Sequence, residues 1–284
     1  MKCVMSILNY NDSRRALELA ERCVKFDSIE RIIIVDNKST DDSVTFLTER
    51  VGSNIELVVA SENRGFAAGN NIGAKYAQEK YNPEYILFAN TDTIFSETEV
   101  NACLSKLKAK ADLGLISMRI KDIKGNEEKS AWHFKSFLDY TLFNIWIYRH
   151  ITYKKGVYKS FSNDFQYVDI VRGSFMLFKM KALIEANFFD ENTFLYYEEE
   201  IIAYRLRKHG YKVGLLTNYF YIHNHIASGT GNIWFIKKHL DASLRWFLIN
   251  YYNIGNVKIR IFDFATKICS CETFLIEQLK RRGK

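Results

Sequence analysis

The 284-residue chain holds one proline, Pro83, together with five cysteines and fourteen glycines. A single proline excludes proline-rich linkers and polyproline recognition segments. Five cysteines spread over this length do not make a disulfide framework, and the reducing cytosol is the expected compartment. No run of eighteen uninterrupted apolar residues occurs, so no transmembrane helix is predicted. Residues Met1 to Tyr10 lack the charged start and small-residue cleavage site of a signal peptide and read as a strand. No internal repeat, low-complexity tract or Gly/Ser linker interrupts the chain. G-x-G-x-x-G after the first strand and G-x-x-x-x-G-K-[ST] are both missing, which removes the dinucleotide fingerprint and the P-loop.

What is present is globular: 48% hydrophobic residues and 15% aromatics, the latter crowded into the second half. The net charge of +7 is uneven. Residues 233–284 carry ten Lys/Arg against four Asp/Glu, and residues 1–232 carry thirty against twenty-nine. A basic, aromatic tail suits an anionic membrane surface. A helical pair with a solvated face has the same composition.

In the first half, apolar runs alternate with helical spacing. Strands are predicted at Val4–Leu8, Ile32–Val35, Ile55–Val59, Tyr85–Ala89 and Leu113–Ser117. Helices are predicted at Ser13–Phe26, Phe66–Lys80 and Glu97–Lys110, with Ser39–Asp42 as a capping box opening another. Continuous apolar strands between helices argue for a parallel sheet covered on both faces. Residues 126–166 break the pattern. Alternation resumes with strands at Tyr167–Val171, Phe175–Phe178, Val213–Leu216 and Tyr219–Ile222, and a helix at Glu198–His209. Residues 234–252 and 258–282 read as amphipathic helices. The expected organisation is a domain over residues 1–230 with an irregular insert at 126–166, followed by a basic helical tail over 231–284.

Ligands of such sheets bind beyond the carboxyl ends of the strands. Those ends are polar here: Asn9-Tyr10-Asn11, Asp36-Asn37, Ser61 to Gly65 and Asn90-Thr91-Asp92. A carboxylate at Asp92 can hold a divalent cation across two phosphates, with Asn90 adding a neutral oxygen. The same Asn-Thr-Asp is also a turn sequence ahead of Ser96-Glu97. Asp36 can accept the N3–H of a pyrimidine or serve as a turn residue. Gly65 to Gly73 can let a helix pack closely and bring its N-terminus to a diphosphate, with Arg64 beside it. Glu198-Glu199-Glu200 open a helix after Phe194-Leu-Tyr-Tyr197. Acids in a first helical turn are favoured by the dipole, and one beside aromatic surfaces can act as a general base on a sugar hydroxyl. In His223-Asn-His225 an imidazole could complete the metal shell of Asp92. Pairing it with Cys269-x-Cys271 matches no compact zinc spacing.

Order along the chain sharpens these signals. Val35-Asp-Asn-Lys-Ser-Thr-Asp41, Glu62-Asn-Arg-Gly-Phe-Ala-Ala-Gly-Asn-Asn-Ile-Gly73 and Ala89-Asn-Thr-Asp92 resemble the family-2 inverting glycosyltransferases of the GT-A fold. Val171-Arg-Gly-Ser-Phe-Met176, Phe189-Asp190, Phe194-Leu-Tyr-Tyr-Glu-Glu199 and Arg205-Leu-Arg-Lys-His-Gly-Tyr211 extend the likeness, which covers residues 3 to about 230. It is greatest to bacterial rhamnosyltransferase-like enzymes of surface polysaccharide assembly.

The resemblance implies an α/β fold, a Rossmann-like mixed sheet flanked by helices. It implies that Asp36 contacts the base beside Asn9 and Tyr10, and that Arg64 and Gly65 lie near the diphosphate. Asn90-Thr91-Asp92 takes the place of the metal-binding Asp-x-Asp, with Asp92 and His223 as ligands of Mg²⁺ or Mn²⁺. Glu199 falls at the catalytic base, with Glu198 as its neighbour. The implied partners are a dTDP- or UDP-sugar, rhamnose or a related sugar, and a saccharide acceptor, lipid-linked, at the inner face of the membrane. No nucleic acid partner is expected. Two positions depart from the family: Glu199 stands where Asp is usual, and Ile201 replaces the second acid of Glu-Asp-x-Asp. That second departure motivates the alternative of a non-catalytic nucleotide-sugar-binding module. A nucleotidyltransferase would need glycines after the first strand, where Asn9-Tyr10-Asn11-Asp12 has none. The insert, with Trp132, His133, Tyr140 and Trp146, is expected to shape the acceptor side.

Overall fold

The computed structural model describes residues 2–143, 157, 158, 161, 163–224 and 233–282. Strands β1 (Cys3–Asn9), β2 (Arg31–Asp36), β3 (Ile55–Val59) and β4 (Tyr85–Ala89) run parallel in the order β3-β2-β1-β4. Helices α1 (Ser13–Cys23), α2 (Ser43–Thr48) and α3 (Phe66–Tyr81) connect them. Beyond β4 the sheet continues through β11 (Phe175–Lys179), β6 (Leu113–Lys121), β12 (Lys212–His223) and β5 (Thr93–Ile94).

The sheet is mixed, as the resemblance implied, rather than wholly parallel as the apolar runs alone suggested. β11 is antiparallel to both β4 and β6, and β12 is parallel to β6. Apolar runs look alike in either direction, so direction is not legible in them. The two strands expected at 213–216 and 219–222 are one strand whose register with β6 shifts between Leu216 and Phe220. The strand expected at 167–171 divides into β9 (Phe165–Val168), paired with β12, and β10 (Ile170–Val171), paired with β8 (Ala131–Trp132). The short strand β7 (Glu127–Glu128) pairs with the end of β6.

Both faces of the sheet are dry, as continuous apolar strands require. Met5, Ile7, Ile32, Ile34 and Leu87 face α1 and helix α4 (Glu97–Ala109) through Leu19, Ala20, Val100 and Leu104. Val4, Ile33, Val35, Ile86 and Phe88 face the other side. There they meet α3, helix α6 (Met180–Glu185) and helix α7 (Glu198–Lys208). The close packing expected of the α3 glycines is present at Gly73, where an added Cβ would lie 2.1 Å from Ser6 Oγ. Asn82 ends α3 in the left-handed conformation ahead of Pro83.

Helices α8 (Ile233–Asn250) and α9 (Asn256–Arg282) fold back onto this body. Leu244, Phe247, Leu248, Ile254 and Phe262 form a third core with Ile201 of α7 and Tyr140 of helix α5 (Phe137–Phe143). Ile201 is fully buried there. An acid at this position would have to be desolvated beneath the tail, which accounts physically for its replacement.

One cap is corrected. Ser39 does not open a helix: α2 starts at Ser43, whose N–H donates to Asp41 Oδ1 at 3.0 Å. Ser39 Oγ instead donates to Asp36 Oδ2 at 2.6 Å.

Candidate active site

The ends of β1 and β2 are laced together. Asp36 is fully buried, and its carboxylate accepts Asn9 Nδ2 at 2.7 Å, Ser39 Oγ at 2.6 Å and Ser39 N–H at 2.9 Å. Ser39 Oγ also accepts the N–H of Asn11, and Thr40 N–H donates to Asn11 Oδ1 at 2.8 Å. Asp36 therefore fixes the shape of the 37–40 loop, and a ring contact requires the Ser39 hydroxyl to turn away. The exposed edge of this corner is Tyr10, 46% accessible.

The next strand end is Ser61 to Gly65. Asn37 Nδ2 donates to Asn63 Oδ1 and to the carbonyl of Gly65. Gly65 has φ +94°, and a Cβ there would lie 2.0 Å from the carbonyl oxygen of Phe194. Only glycine fits such a conformation at such a distance. Arg64 is half exposed and pairs with Glu191 at 3.0 Å. It reaches the site edge already engaged, so a phosphate must compete with Glu191.

Asn90-Thr91-Asp92 forms the turn after β4. Thr91 Oγ1 donates to Asp12, and the Asn90 carbonyl accepts from Thr93 N–H and Oγ1. Asp92 is not a helix cap, because Ser96 and Glu99 cap α4, with Ser96 N–H donating to Glu99 at 2.8 Å. β5 pairs with the end of β12, bringing His223 opposite Thr93. His223 Nε2 lies 3.4 Å from Asp92 Oδ2, and its Nδ1 lies 3.8 Å from Glu128 Oε2. Asp92 and His223 thus meet as the sequence suggested. Glu128 is an acid that no motif marked, facing the other ring nitrogen of His223 from beyond hydrogen-bond distance. His225 and Trp146 lie outside the described residues.

Among the described residues no three His, Cys, Asp or Glu side chains close around one point. One carboxylate and one imidazole, both largely buried, is a donor set that suits Mg²⁺ or Mn²⁺ when substrate oxygens complete the shell. The residues present fit such an ion.

The three acids of α7 separate. Glu199 Oε1 accepts the N–H of Gly173 at 3.1 Å and stays half-buried. Glu198 is buried, and burial with the charge of Glu199 pushes its carboxyl well above the ordinary range. Glu200 is buried and accepts Trp132 Nε1 at 2.9 Å. Burial and the charge of Glu199 push Glu200 up to about 7 against the pull of Lys129. Lys129, its ammonium 3.7 Å above the Trp132 ring, is pushed down to about 8 by burial. Tyr196 and Tyr197 precede the helix at φ 72° and 66°. Two bulky residues in the left-handed region cost about 1–2 kcal/mol each, the kind of strain that collects at working sites.

A pH test of Glu200 follows. The folded protein holds its proton more tightly than the unfolded chain, whose carboxyl titrates at about 4.5. Stability from this group is full below that value and is lost as pH rises towards 7. Thermal melts of Glu200→Gln between pH 5 and 8 should show a flatter profile than the parent. Parallel profiles would reject the assignment.

Gly173 and Ser174 join the two halves of the site. Gly173 N–H holds Glu199, while the Ser174 carbonyl accepts Asn90 N–H at 3.0 Å. Ser174 Oγ lies 2.8 Å from the Tyr221 hydroxyl, two residues before His223. The insert contributes differently than expected. Trp132 and Tyr140 are 5% and 2% exposed, so they support the site from beneath and offer no stacking face. His133 is at the surface, 3.0 Å from Asp169.

The sequence of residues 6–184 matches the Glycosyl transferase family 2 profile. The chain is 24% identical over 222 residues to the low-salt glycan biosynthesis hexosyltransferase Agl10 of Haloferax volcanii, covering 77% of this chain and 66% of that one. It is 27% identical over 164 residues to rhamnosyltransferase WbbL of Escherichia coli K12, covering 56% and 60%. The chain therefore spans somewhat under two thirds of each relative's length. Its fold is similar to that of the mannosyltransferase PcManGT from Pyrobaculum calidifontis, solved with GDP-Man and Mn²⁺. The TM-score is 0.57 at 15% identity, over 95% of this chain and 73% of that one. With the profile matching well over half its length, and with the GT-A arrangement of its sheet, this chain belongs to glycosyl transferase family 2.

Proposed function

We propose that the chain transfers a hexosyl group, rhamnose or a related sugar, from a dTDP- or UDP-activated donor to an acceptor hydroxyl, inverting the anomeric carbon. The observation that carries this reading is the Gly173-Ser174 link, which sets a carboxylate base on one side of a cation-suited Asp92–His223 pair on the other. The donor nucleotide lies along Asn9, Tyr10 and the loop braced by Asp36, with its diphosphate towards Gly65, Arg64 and Asn90-Thr91. Asp92 and His223 would hold Mg²⁺ or Mn²⁺, which when bound neutralises charge on the departing diphosphate. Glu199 takes the proton from the acceptor hydroxyl as its oxygen bonds to the anomeric carbon from the face opposite the leaving oxygen. Glu198 sits beside it, its carboxyl pushed well above the ordinary range by burial and by the charge of Glu199.

The relatives' hexosyl and rhamnosyl activities support the sugar class, and a lipid-linked saccharide of bacterial surface polysaccharide is the acceptor we favour. The exposed Ile233–Ile236 start of α8, ahead of the exposed Lys238, supports peripheral contact at the cytoplasmic face of the membrane. Among the described residues no helix is long and apolar enough to cross it. The burial of Ile201 in the tail core gives its replacement of an acid a packing reason, which speaks for the catalytic reading over a non-catalytic module.

Thermal melts with Mn²⁺ and a panel of dTDP-, UDP- and GDP-sugars test this reading. A donor at 100 times its Kd should add about 2.7 kcal/mol in the presence of metal. Asp92→Ala should lose the metal-dependent part. Stabilisation that ignores both metal and Asp92 would refute the site.

A further inference from the structure

Helix α9 is covered on one side only. Ile259, Phe262, Thr266, Cys269 and Thr273 are buried or half-buried. On the opposite side Val257, Ile261, Phe264, Ile268, Cys271 and Leu275 are exposed, Val257 at 73% and Phe264 at 65%. Their spacing is four, three, four, three, four. Positions 257, 264 and 271 repeat every seven residues, and so do 261, 268 and 275. That is the a/d pattern of a helix that pairs with another helix, sustained over about 27 Å.

We infer that this seam pairs with the same seam of a second copy of the chain, parallel and in register. A helix lying in a membrane turns a broad apolar face to lipid and its charges away from it. In α9 the far face is packed on the protein, and the outward apolar line is flanked by Lys258, Arg260, Lys267 and Glu272, with exposed Phe274 widening it only in its last turn. Parallel pairing brings Lys267 of one copy beside Glu272 of the other, a g-to-e′ contact of opposite sign. Antiparallel pairing centred on the seam would bring Lys267 against Lys267. A two-fold, self-complementary contact of this kind closes at a dimer. It stands independently of the transfer chemistry.

Light scattering of the full chain in detergent-free buffer should give twice the chain mass. Phe264→Glu, at a site too exposed to threaten the fold, should halve it with an unchanged melting temperature. Mild copper-catalysed oxidation should link the dimer through Cys271, which in-register pairing brings within disulfide reach of its copy. The link should vanish in Cys271→Ser and persist in Cys269→Ser. A particle of one chain mass with no Cys271 cross-link would overturn the dimer. So would a monomer whose binding to phosphatidylglycerol vesicles is lost in Phe264→Glu, which would give the seam to lipid.

Discussion

Glu199→Gln should reduce sugar transfer by about 10²- to 10⁴-fold, the range a positioned general base supplies. The amide keeps an oxygen for the Gly173 N–H, so the helix start and the fold should be retained. It cannot accept the acceptor's proton. The expected signature is therefore a loss in kcat with donor-induced stabilisation intact. Glu199→Asp keeps the carboxylate but draws it back by one methylene from a site whose backbone anchor is set for the longer side chain, at 3.1 Å. It should retain part of the activity. Full transfer by Glu199→Gln would remove the base from Glu199 and leave only the strained, acid-bearing helix start.

Asp190→Asn should be strongly destabilising, because its buried carboxylate ties the tail to the body. Asp190 is 5% exposed, and its Oδ2 accepts Trp246 Nε1 at 2.8 Å and the Tyr251 hydroxyl at 2.6 Å, with Arg205 at 3.3 Å. Its Oδ1 accepts the backbone and side-chain N–H groups of Asn192. Burial alone would raise this carboxyl, but the bonds from Tyr251, Trp246 and Asn192 hold it below the ordinary range. Breaking a buried, hydrogen-bonded ion pair from one side costs about 3–5 kcal/mol. In a chain of this size that is a fall in Tm on the order of 10 °C. The sign with pH is opposite to that of Glu200. The contribution of Asp190 is full above the unfolded carboxyl range, near 3.9, and is lost as pH falls through its lower folded value. The Tm gap between parent and variant should thus narrow in acid. A gap under about 1 °C at neutral pH would show that the tail is held by its apolar contacts alone.

These two residues mark what the sequence made legible. Glu199 stands in a local motif, and its neighbours along the chain identify it. Asp190 stands in a motif too, but its partners Trp246 and Tyr251 lie 56 and 61 residues away. No periodicity carries a bond of that span. The parallel half of the sheet was legible because β1, β2 and β4 are apolar on both faces and end in polar turns. The antiparallel run of β11 was not, since direction leaves no trace in Phe175–Lys179. Ser39 read as a cap because its spacing fits one, yet the bond it makes is to Asp36, three residues earlier. Glu200 was legible only as one of three acids at a helix start and Trp132 only as an aromatic of the insert; nothing in the sequence paired them before the fold brought them to 2.9 Å.

The two-residue bridge at Gly173 and Ser174 has a consequence for kinetics. One peptide is held by the base, the next carbonyl by the turn that precedes Asp92. The two contacts sit on consecutive residues, Gly173 and Ser174, so a displacement of either partner acts on the same short segment of backbone. Occupying the nucleotide side thus biases where the base stands, and occupying the hydroxyl side biases the turn by the same free energy, as reciprocity demands. Each substrate should bind the half-filled enzyme with a different affinity from the empty one, by the same factor for both, which binding titrations of one substrate with and without the other would read.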